Sequence, residues 1–231
     1  MANQKEIFNK IYKFDIEEAD SITNVKFLEN NIKLIEPILE IGCGKGYVIE
    51  YFKKNNINIT GIEISKEAIS YFKNINTDIE ILLYDGKKLP FNDKLFSIVL
   101  SFDVLEHLNS VSEHLYEVYR VLKSNGIYAF QTPNKITNLP KEIIFRGGLK
   151  KAREFHPSVQ SYFSLKKYLI KNGFNYKFVS MPLISPEKYK ALRSRNIVWK
   201  VLANILNKLP KKIIPIFLRP NFWVIAQKKG F

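Results

Sequence analysis

The sequence lacks the features that mark disulfide-stabilised, zinc-stabilised or membrane-spanning proteins. Cys43 is the single cysteine among 231 residues, which excludes an internal disulfide and a zinc site built on a Cys/His cluster. No stretch reaches the roughly 18 consecutive apolar residues that a membrane-spanning helix requires. The first residues, MANQKEIFNKIYKFD, are polar and mixed in charge, unlike a signal peptide. A single cytoplasmic domain covering residues 1–231 is therefore expected.

Acidic residues are scarce in the second part of the chain. Residues 1–133 contain 15 Lys+Arg and 19 Asp+Glu, whereas residues 134–231 contain 21 Lys+Arg and only 3 Asp+Glu. The second part therefore accounts for the whole of the formal net charge of +14. Such an imbalance favours an anionic partner, either nucleic acid or a membrane surface, although a solvated lysine-rich face would give the same composition.

Apolar runs with strand character alternate with stretches of helical spacing. Strands are predicted at 37–41, 58–64, 79–85, 95–103 and 126–134. Helices are predicted at 4–14, 47–56, 65–75 and 111–123. This alternation predicts an α/β fold, in which a mostly parallel sheet carries helices on both faces. In such a fold, ligands bind beyond the carboxyl ends of the strands.

Three glycines on alternate positions connect the first strand to the first helix of this pattern. Gly42, Gly44 and Gly46 lie within ILEIGCGKGYVIEYF and form GxGxG rather than the GxGxxG of dinucleotide-binding proteins. Such a turn indicates a close approach between the backbone and a ligand. Glu63 lies 21 residues beyond Gly42, at the end of the second strand, where a carboxylate can accept hydrogen bonds from a ribose diol. Cys43 is interpreted as a small packing residue.

Four successive segments of the sequence resemble the motifs of a known family. ILEIGCGKG, GIEIS, YDGKKLPFNDKLFSIVLSFDVLEHL and VLKSNGIYAFQTPN occur in order, within a resemblance that covers about residues 36–180. The family is that of the class I S-adenosylmethionine-dependent methyltransferases. The similarity is greatest to the small-molecule group (methyltransferase type 11) that includes the ubiquinone-biosynthesis O-methyltransferases. The resemblance implies a Rossmann-like sheet of seven strands with an antiparallel last strand, and S-adenosylmethionine as cofactor.

The same resemblance assigns roles to residues of the first half of the chain. Glu40 would order the methionine end of the cofactor, Glu63 would bind the ribose hydroxyls and Asp85 would accept from the adenine amino group. Two further backbone segments would face the cofactor, at Gly86 and at Ser101–Phe102. A Cβ atom at the first two glycines of the turn would collide with the cofactor, which gives a reason for the glycine-rich turn.

The segment DVLEHL, after the fourth strand, supplies the candidates for chemistry on the methyl acceptor. His107 is the candidate base for an acceptor hydroxyl, because its unperturbed pKa lies near 6.5, and Glu106 is its neighbour. Asp103, Glu106 and His107 form D-x-x-E-H, whose spacing places them on one face of a helix. This pattern resembles the metal site of small-RNA 3′-end methyltransferases, with His156 as a further ligand and a divalent ion such as Mg²⁺. His114 is expected at the surface.

The resemblance continues into the C-terminal part, with a helix at 162–174 and strands at 175–181 and 221–229. Residues 182–220 form a predicted insertion, in which a helix with an apolar face is flanked by basic residues and contains Trp199. Such a helix is typical of peripheral membrane surfaces, although a cap over the substrate pocket would have the same pattern. The membrane interpretation extends the expected location to the inner face of a membrane.

Three classes of function remain open from the sequence. The favoured class is an S-adenosylmethionine-dependent methyltransferase that methylates a hydroxyl of a small or lipid-linked acceptor. An RNA methyltransferase using D-x-x-E-H is the alternative, although the apolar insertion lacks the aromatic and glycine-rich surfaces of RNA-binding modules. A non-catalytic cofactor-binding protein is the third class, and the intact glycine turn with Glu63 and Asp85 argues against it.

Overall fold

The structure is a computed structural model and describes residues 17–75, 81–183 and 214–230. The first half of the chain contains α1 (Glu17–Asn31), β1 (Ile38–Ile41), α2 (Tyr47–Lys54), β2 (Ile59–Glu63), α3 (Lys66–Ile75), β3 (Ile81–Leu83), β4 (Phe96–Phe102), a 3₁₀ helix (Leu105–His107) and α4 (Val111–Val121). The second half contains β5 (Leu122–Pro133), α5 (Lys135–Arg146), α6 (Leu149–Phe155), α7 (Tyr162–Lys171), β6 (Phe174–Val179), a second 3₁₀ helix (Ile216–Leu218) and β7 (Asn221–Lys228).

Seven strands form one sheet in the order β3-β2-β1-β4-β5-β7-β6. Strands β1 to β5 pair in parallel, and β7 pairs antiparallel with both β5 and β6. The predicted mostly parallel sheet with an antiparallel last strand is therefore confirmed. The last strand lies between β5 and β6 rather than at the edge, so β6 is the outer strand. The strand order reverses between β1 and β4, which is where ligands bind in sheets of this kind.

Helices cover both faces of the sheet, as the alternating pattern predicts. Side chains of β4 alternate between two buried clusters, with Ile98 and Leu100 in one and Val99 in the other, as the two-residue period of a strand requires. The first cluster contains side chains of α1, α2 and α3, among them Phe27, and the second contains side chains of α4 and α7. Within the described ranges, no helix combines the length and apolar character needed to cross a bilayer.

Several elements differ from the sequence-based expectation. Strand β5 begins at Leu122 rather than at residue 126, and Asn125 in the expected turn has a φ of +62°. Helices α1, α5 and α6 were not predicted. In α5 the interior Pro140 is normally evidence against a helix. The predicted helix at 4–14 and residues 184–213 of the predicted insertion lie outside the described residues, so the membrane interpretation of that insertion stays a prediction.

Candidate functional site

The glycine turn after β1 is shaped by the protein's own packing. Gly42, Gly44 and Gly46 have φ values of +70°, +54° and +75°, a region that side chains other than glycine rarely adopt. A Cβ atom at Gly42 would lie 2.6 Å from a methyl carbon of Val104, and one at Gly46 would lie 2.4 Å from the Phe72 ring. Intramolecular contacts therefore explain at least two of the three glycines before any ligand is considered.

Glu63 connects this turn to the end of β2. One oxygen of its buried carboxylate, Oε2, accepts from the Gly44 amide at 2.9 Å. The other, Oε1, accepts from the amides of Ile64 and Ser65, each at 2.8 Å. Three backbone donors therefore hold the carboxylate in place beside the glycine turn.

Glu40 is the most unusual acid at this end of the sheet. Its side chain on β1 is 3% exposed, and its Oε2 atom has no hydrogen-bond partner among the residues that the structure describes. Burial, and secondarily the charge of Glu63, raises the pKa of Glu40 to about 8. A buried carboxylate oxygen without a partner is costly, and this one therefore indicates a position where a ligand donor would be accepted.

A cavity of about 1370 Å³ lies beyond the carboxyl ends of the strands. Six of the eight predicted cofactor-binding residues line it, namely Glu40, Gly42, Gly44, Glu63, Asp85 and Gly86. The Asp85 carboxylate also accepts from the Lys87 amide at 3.0 Å, which fixes the turn after β3. Gly46 and Ser101 do not line the cavity.

Ser101 belongs to a buried hydrogen-bonded chain that reaches the cavity only through His114. Its hydroxyl lies 2.6 Å from the Tyr128 hydroxyl, which lies 3.0 Å from His114 Nε2. His114 is 7% exposed, so its expected place at the surface is wrong. Burial lowers the pKa of His114 to about 4, and its ring is a neutral hydrogen-bonding group that joins α4 to β5.

One wall of the cavity was not predicted from the sequence. Four polar residues at the start of α1 line it: Asp20, Ser21, Thr23 and Asn24. Lys45 of the glycine turn also lines it, is 5% exposed, and places its ammonium 4.8 Å from the centre of the Tyr71 ring. These residues have no motif of their own, because their role depends on how α1 packs against α2.

The far end of the cavity contains the residues that were predicted to act on the acceptor. One ligand-type atom from each of Glu106, His107 and His156 lies within 4.8 Å of the other two. Glu106 is buried, and its Oε2 atom accepts from the Thr132 hydroxyl at 3.0 Å. Asp103 has a φ of +52° and is not part of this described group, although its charge acts on Glu106. The segment is a 3₁₀ helix, so the expected α-helical face is replaced by a tighter turn.

The same environment holds both imidazoles neutral. Burial, and then the neighbouring ring of His156, lowers the pKa of His107 to about 3. Burial and the charge of Arg146 lower the pKa of His156 to about 4. Burial, and then Asp103, raises the pKa of Glu106 well above its usual range. The Phe155 carbonyl lies 3.1 Å from His107 Nδ1 and can only accept. The neutral ring therefore donates from Nδ1, and Nε2 is its acceptor nitrogen.

Helices α5 and α6 close this end of the cavity. The Arg146 guanidinium carbon lies 3.3 Å from the centre of the Phe155 ring, and Arg146 Nε donates to the Glu142 carboxylate. The same carboxylate lies 3.8 Å from His156 Nδ1. Asn134, whose side chain accepts from the Ile136 amide, and Gly147, with a φ of +73°, are the start and stop signals that could have identified α5.

Comparisons with known proteins agree with this geometry. Residues 39–130 match the family described as a methyltransferase domain. A probable S-adenosylmethionine-dependent methyltransferase of Mycolicibacterium smegmatis is 28% identical over 103 residues, which are 45% of this chain and 40% of that protein. The chain thus aligns with about two fifths of the length of that relative. The ubiquinone biosynthesis O-methyltransferase of Rickettsia prowazekii is 27% identical over 215 residues, which are 90% of this chain and 77% of that protein.

A solved structure shows the same fold over nearly the whole chain. The crystal structure of an S-adenosylmethionine-dependent methyltransferase from Archaeoglobus fulgidus superposes with a TM-score of 0.62 at 22% sequence identity. The match covers 96% of this chain and 98% of that structure. The Rossmann-like fold predicted from the alternating strands and helices is therefore confirmed by an independent structure.

Proposed function

Because the chain belongs to the S-adenosylmethionine-dependent methyltransferases, we propose that it transfers a methyl group from S-adenosylmethionine to a hydroxyl of a small or lipid-linked acceptor. One observation carries this proposal. A single cavity joins the glycine turn, Glu40 and Glu63 at one end to Glu106, His107 and His156 at the other. Cofactor and acceptor would therefore meet in one cavity.

The residues at the first end fit the cofactor. S-adenosylmethionine supplies a methyl group already activated on a positively charged sulfur. Glu40, with its unpartnered buried oxygen, would accept from the methionine end, and Glu63 would accept from the ribose hydroxyls. Asp85 would accept from the adenine amino group, beside the backbone of Gly86.

The residues at the other end fit a hydroxyl acceptor. Methyl transfer mainly requires that the acceptor oxygen be aligned with the methyl group and sulfur. His107 would take the acceptor proton on Nε2, because Nδ1 donates to the Phe155 carbonyl. Glu106 would orient the acceptor from below. A relative of this chain is named as an O-methyltransferase, which supports oxygen as the acceptor atom.

The proposal is tested by tracing a radioactive methyl group from the cofactor to its product. The protein is incubated with methyl-tritiated S-adenosylmethionine and an extract of cells that lack this chain, and the extract is then separated into small-molecule, lipid and RNA fractions. We expect alkali-stable label, characteristic of a methyl ether, in the small-molecule or lipid fraction, and none with Glu63→Ala. Label in RNA would favour the alternative function, and failure to bind S-adenosylmethionine in calorimetry would contradict both.

As the alternative to His107 acting as a base, we propose that Glu106, His107 and His156 hold a divalent cation, in which case His107 would be a metal ligand. Two neutral imidazoles and one carboxylate within 4.8 Å of one another form a suitable donor set. A cation held there would lower the pKa of a bound acceptor hydroxyl. Imidazole donors suit a transition metal better than Mg²⁺, and Mn²⁺ is the transition ion that also suits a carboxylate ligand, so Mn²⁺ is the first ion to test.

Calorimetric titration with Mn²⁺ measures this site independently of turnover. We expect one bound ion per chain, and at least tenfold weaker binding in His156→Ala, because one of three protein ligands is removed. Glu113→Ala is the matched control, since Glu113 lines the same cavity outside the donor group. Equal affinity in the wild type and His156→Ala, or no Mn²⁺ binding at all, would leave His107 as a base without a metal.

A further inference from the structure

The end of α5 and the start of α6 form an exposed apolar tip, defined here as Ile144, Phe145 and Leu149. These side chains are 82%, 80% and 41% exposed. None of the twelve side chains of α5 is fully buried, so the helix contributes little to the core. Large apolar side chains that adjoin one another in solvent mark an interaction surface rather than a folding requirement.

The two helices that carry the tip are rich in basic residues. The two helices contain six of them, namely Lys135, Lys141, Arg146, Lys150, Lys151 and Arg153. They contain two acids, Glu142 and Glu154, and the first of these is paired with Arg146. Lys150 and Lys151 are both exposed, directly after Leu149. The tip therefore combines exposed apolar side chains with two adjacent exposed lysines on helices of net positive charge, and its partner should offer both apolar contact and negative charge.

The tip also adjoins the mouth of the large cavity. Phe145 lines that cavity and is at the same time 80% exposed, and Lys141 and Arg146 of the same helix line it as well. Whatever binds the tip therefore lies next to the end of the cavity that contains Glu106, His107 and His156. A partner that itself contains the acceptor would need to move it only a short distance.

We propose that the α5–α6 tip docks on an anionic lipid bilayer, with Ile144 and Phe145 inserted among the acyl chains and Lys150 and Lys151 at the phosphate groups. A bilayer satisfies both features of the surface, because apolar side chains enter its interface while basic ones bind its charged headgroups. Entry of a lipid-linked acceptor from the bilayer rests on the proposed function. The docking itself does not, and it uses described residues distinct from those of the predicted insertion.

Vesicle flotation tests the proposal with the full chain. Vesicles of phosphatidylcholine and phosphatidylglycerol (3:1) are compared with vesicles of phosphatidylcholine alone. We expect the wild type to float with the anionic vesicles at low salt and to remain in the soluble fraction with the neutral ones. Ile144→Ser/Phe145→Ser should lower the partition coefficient at least tenfold. Leu83→Ser/Ile170→Ser is the matched control, since these side chains are 50% and 52% exposed on β3 and α7, and it should float like the wild type.

A charge variant separates lipid binding from damage to the fold. Lys150→Glu/Lys151→Glu leaves the apolar residues in place and should also abolish flotation on anionic vesicles, with unchanged circular dichroism and S-adenosylmethionine affinity. The proposal is overturned if the wild type stays soluble, if Ile144→Ser/Phe145→Ser floats like the wild type, or if light scattering shows that the tip instead joins two copies of the chain. If the wild type does not bind S-adenosylmethionine, the proposed function is contradicted, whereas the result of the flotation experiment still stands.

Discussion

Glu63→Ala should weaken S-adenosylmethionine binding at least tenfold, about 1.4 kcal/mol. In the structure the Glu63 carboxylate accepts from three backbone amides and also faces the cavity. The substitution would remove the proposed acceptor for the ribose hydroxyls and leave the Gly44 amide without its carboxylate. Gly44→Val should have an effect of similar size, because valine is strained at the Gly44 φ of +54°. Isothermal titration calorimetry measures both losses directly.

Two further variants separate the binding role of Glu63 from its role in shaping the turn. Glu63→Gln keeps the size of the side chain and one acceptor oxygen, so it should lose less affinity than Glu63→Ala. Glu50→Ala removes a carboxylate that pairs with Lys54 on α2 and does not line the cavity, and it should bind like the wild type. If Glu63→Ala and Gly44→Val retain wild-type affinity with unchanged circular dichroism, the cofactor assignment is wrong.

His107→Ala should lower kcat by about 10²-fold, the lower end of the range that general acid–base catalysis supplies, because burial lowers the pKa of His107 to about 3 and makes it a weak base; S-adenosylmethionine affinity should change little. The reason is positional, since His107 Nδ1 is committed to the Phe155 carbonyl and only Nε2 can serve the acceptor. Glu106→Ala should act in the same direction, because Glu106 is the buried carboxylate of the same group. The rate of alkali-stable label formation, measured with saturating cofactor, gives kcat.

His107→Asn is the informative companion of His107→Ala. An asparagine amide can still donate to the Phe155 carbonyl, but it has no nitrogen lone pair in place of Nε2. We expect His107→Asn to be as inactive as His107→Ala. If the asparagine variant keeps wild-type turnover while the alanine variant does not, His107 only anchors α6 to the 3₁₀ helix and takes no part in the chemistry.

The part of the site that the sequence predicts is the part built from local geometry. Ser65 was expected to begin a helix, and its hydroxyl accepts from the Ala68 amide at 3.2 Å. Glu40 is the next-to-last residue of β1 and Glu63 is the last residue of the neighbouring parallel strand β2, so the topology alone places both near the carboxyl ends of the strands. The order of the strands and helices was predictable from the sequence because the hydrophobic period of each element depends on only a few consecutive residues.

The remainder depends on long-range packing that no local pattern encodes. Gly46 is required by the Phe72 ring of α3, whereas the motif alone pointed to the cofactor. Ser101 lies near the carboxyl end of β4, but its hydroxyl is hydrogen-bonded to Tyr128 and does not line the cavity. Glu142 and Arg146 resemble an ordinary surface pair at i and i+4. Their place beside His156 arises only once α5 and α6 fold over the sheet.

Because Glu40 is buried and its pKa is raised, binding of S-adenosylmethionine in the cavity should release a proton from Glu40. With a pKa raised to about 8, Glu40 holds its proton at neutral pH. A positively charged ligand favours the ionised form, so binding would expel that proton into the buffer. By linkage, affinity for such a ligand should rise as the pH increases towards 8 and then level off. The demethylated product has lost the sulfonium charge, so its affinity should depend less on pH. The ratio between the affinities for S-adenosylmethionine and for the demethylated product should therefore change with pH.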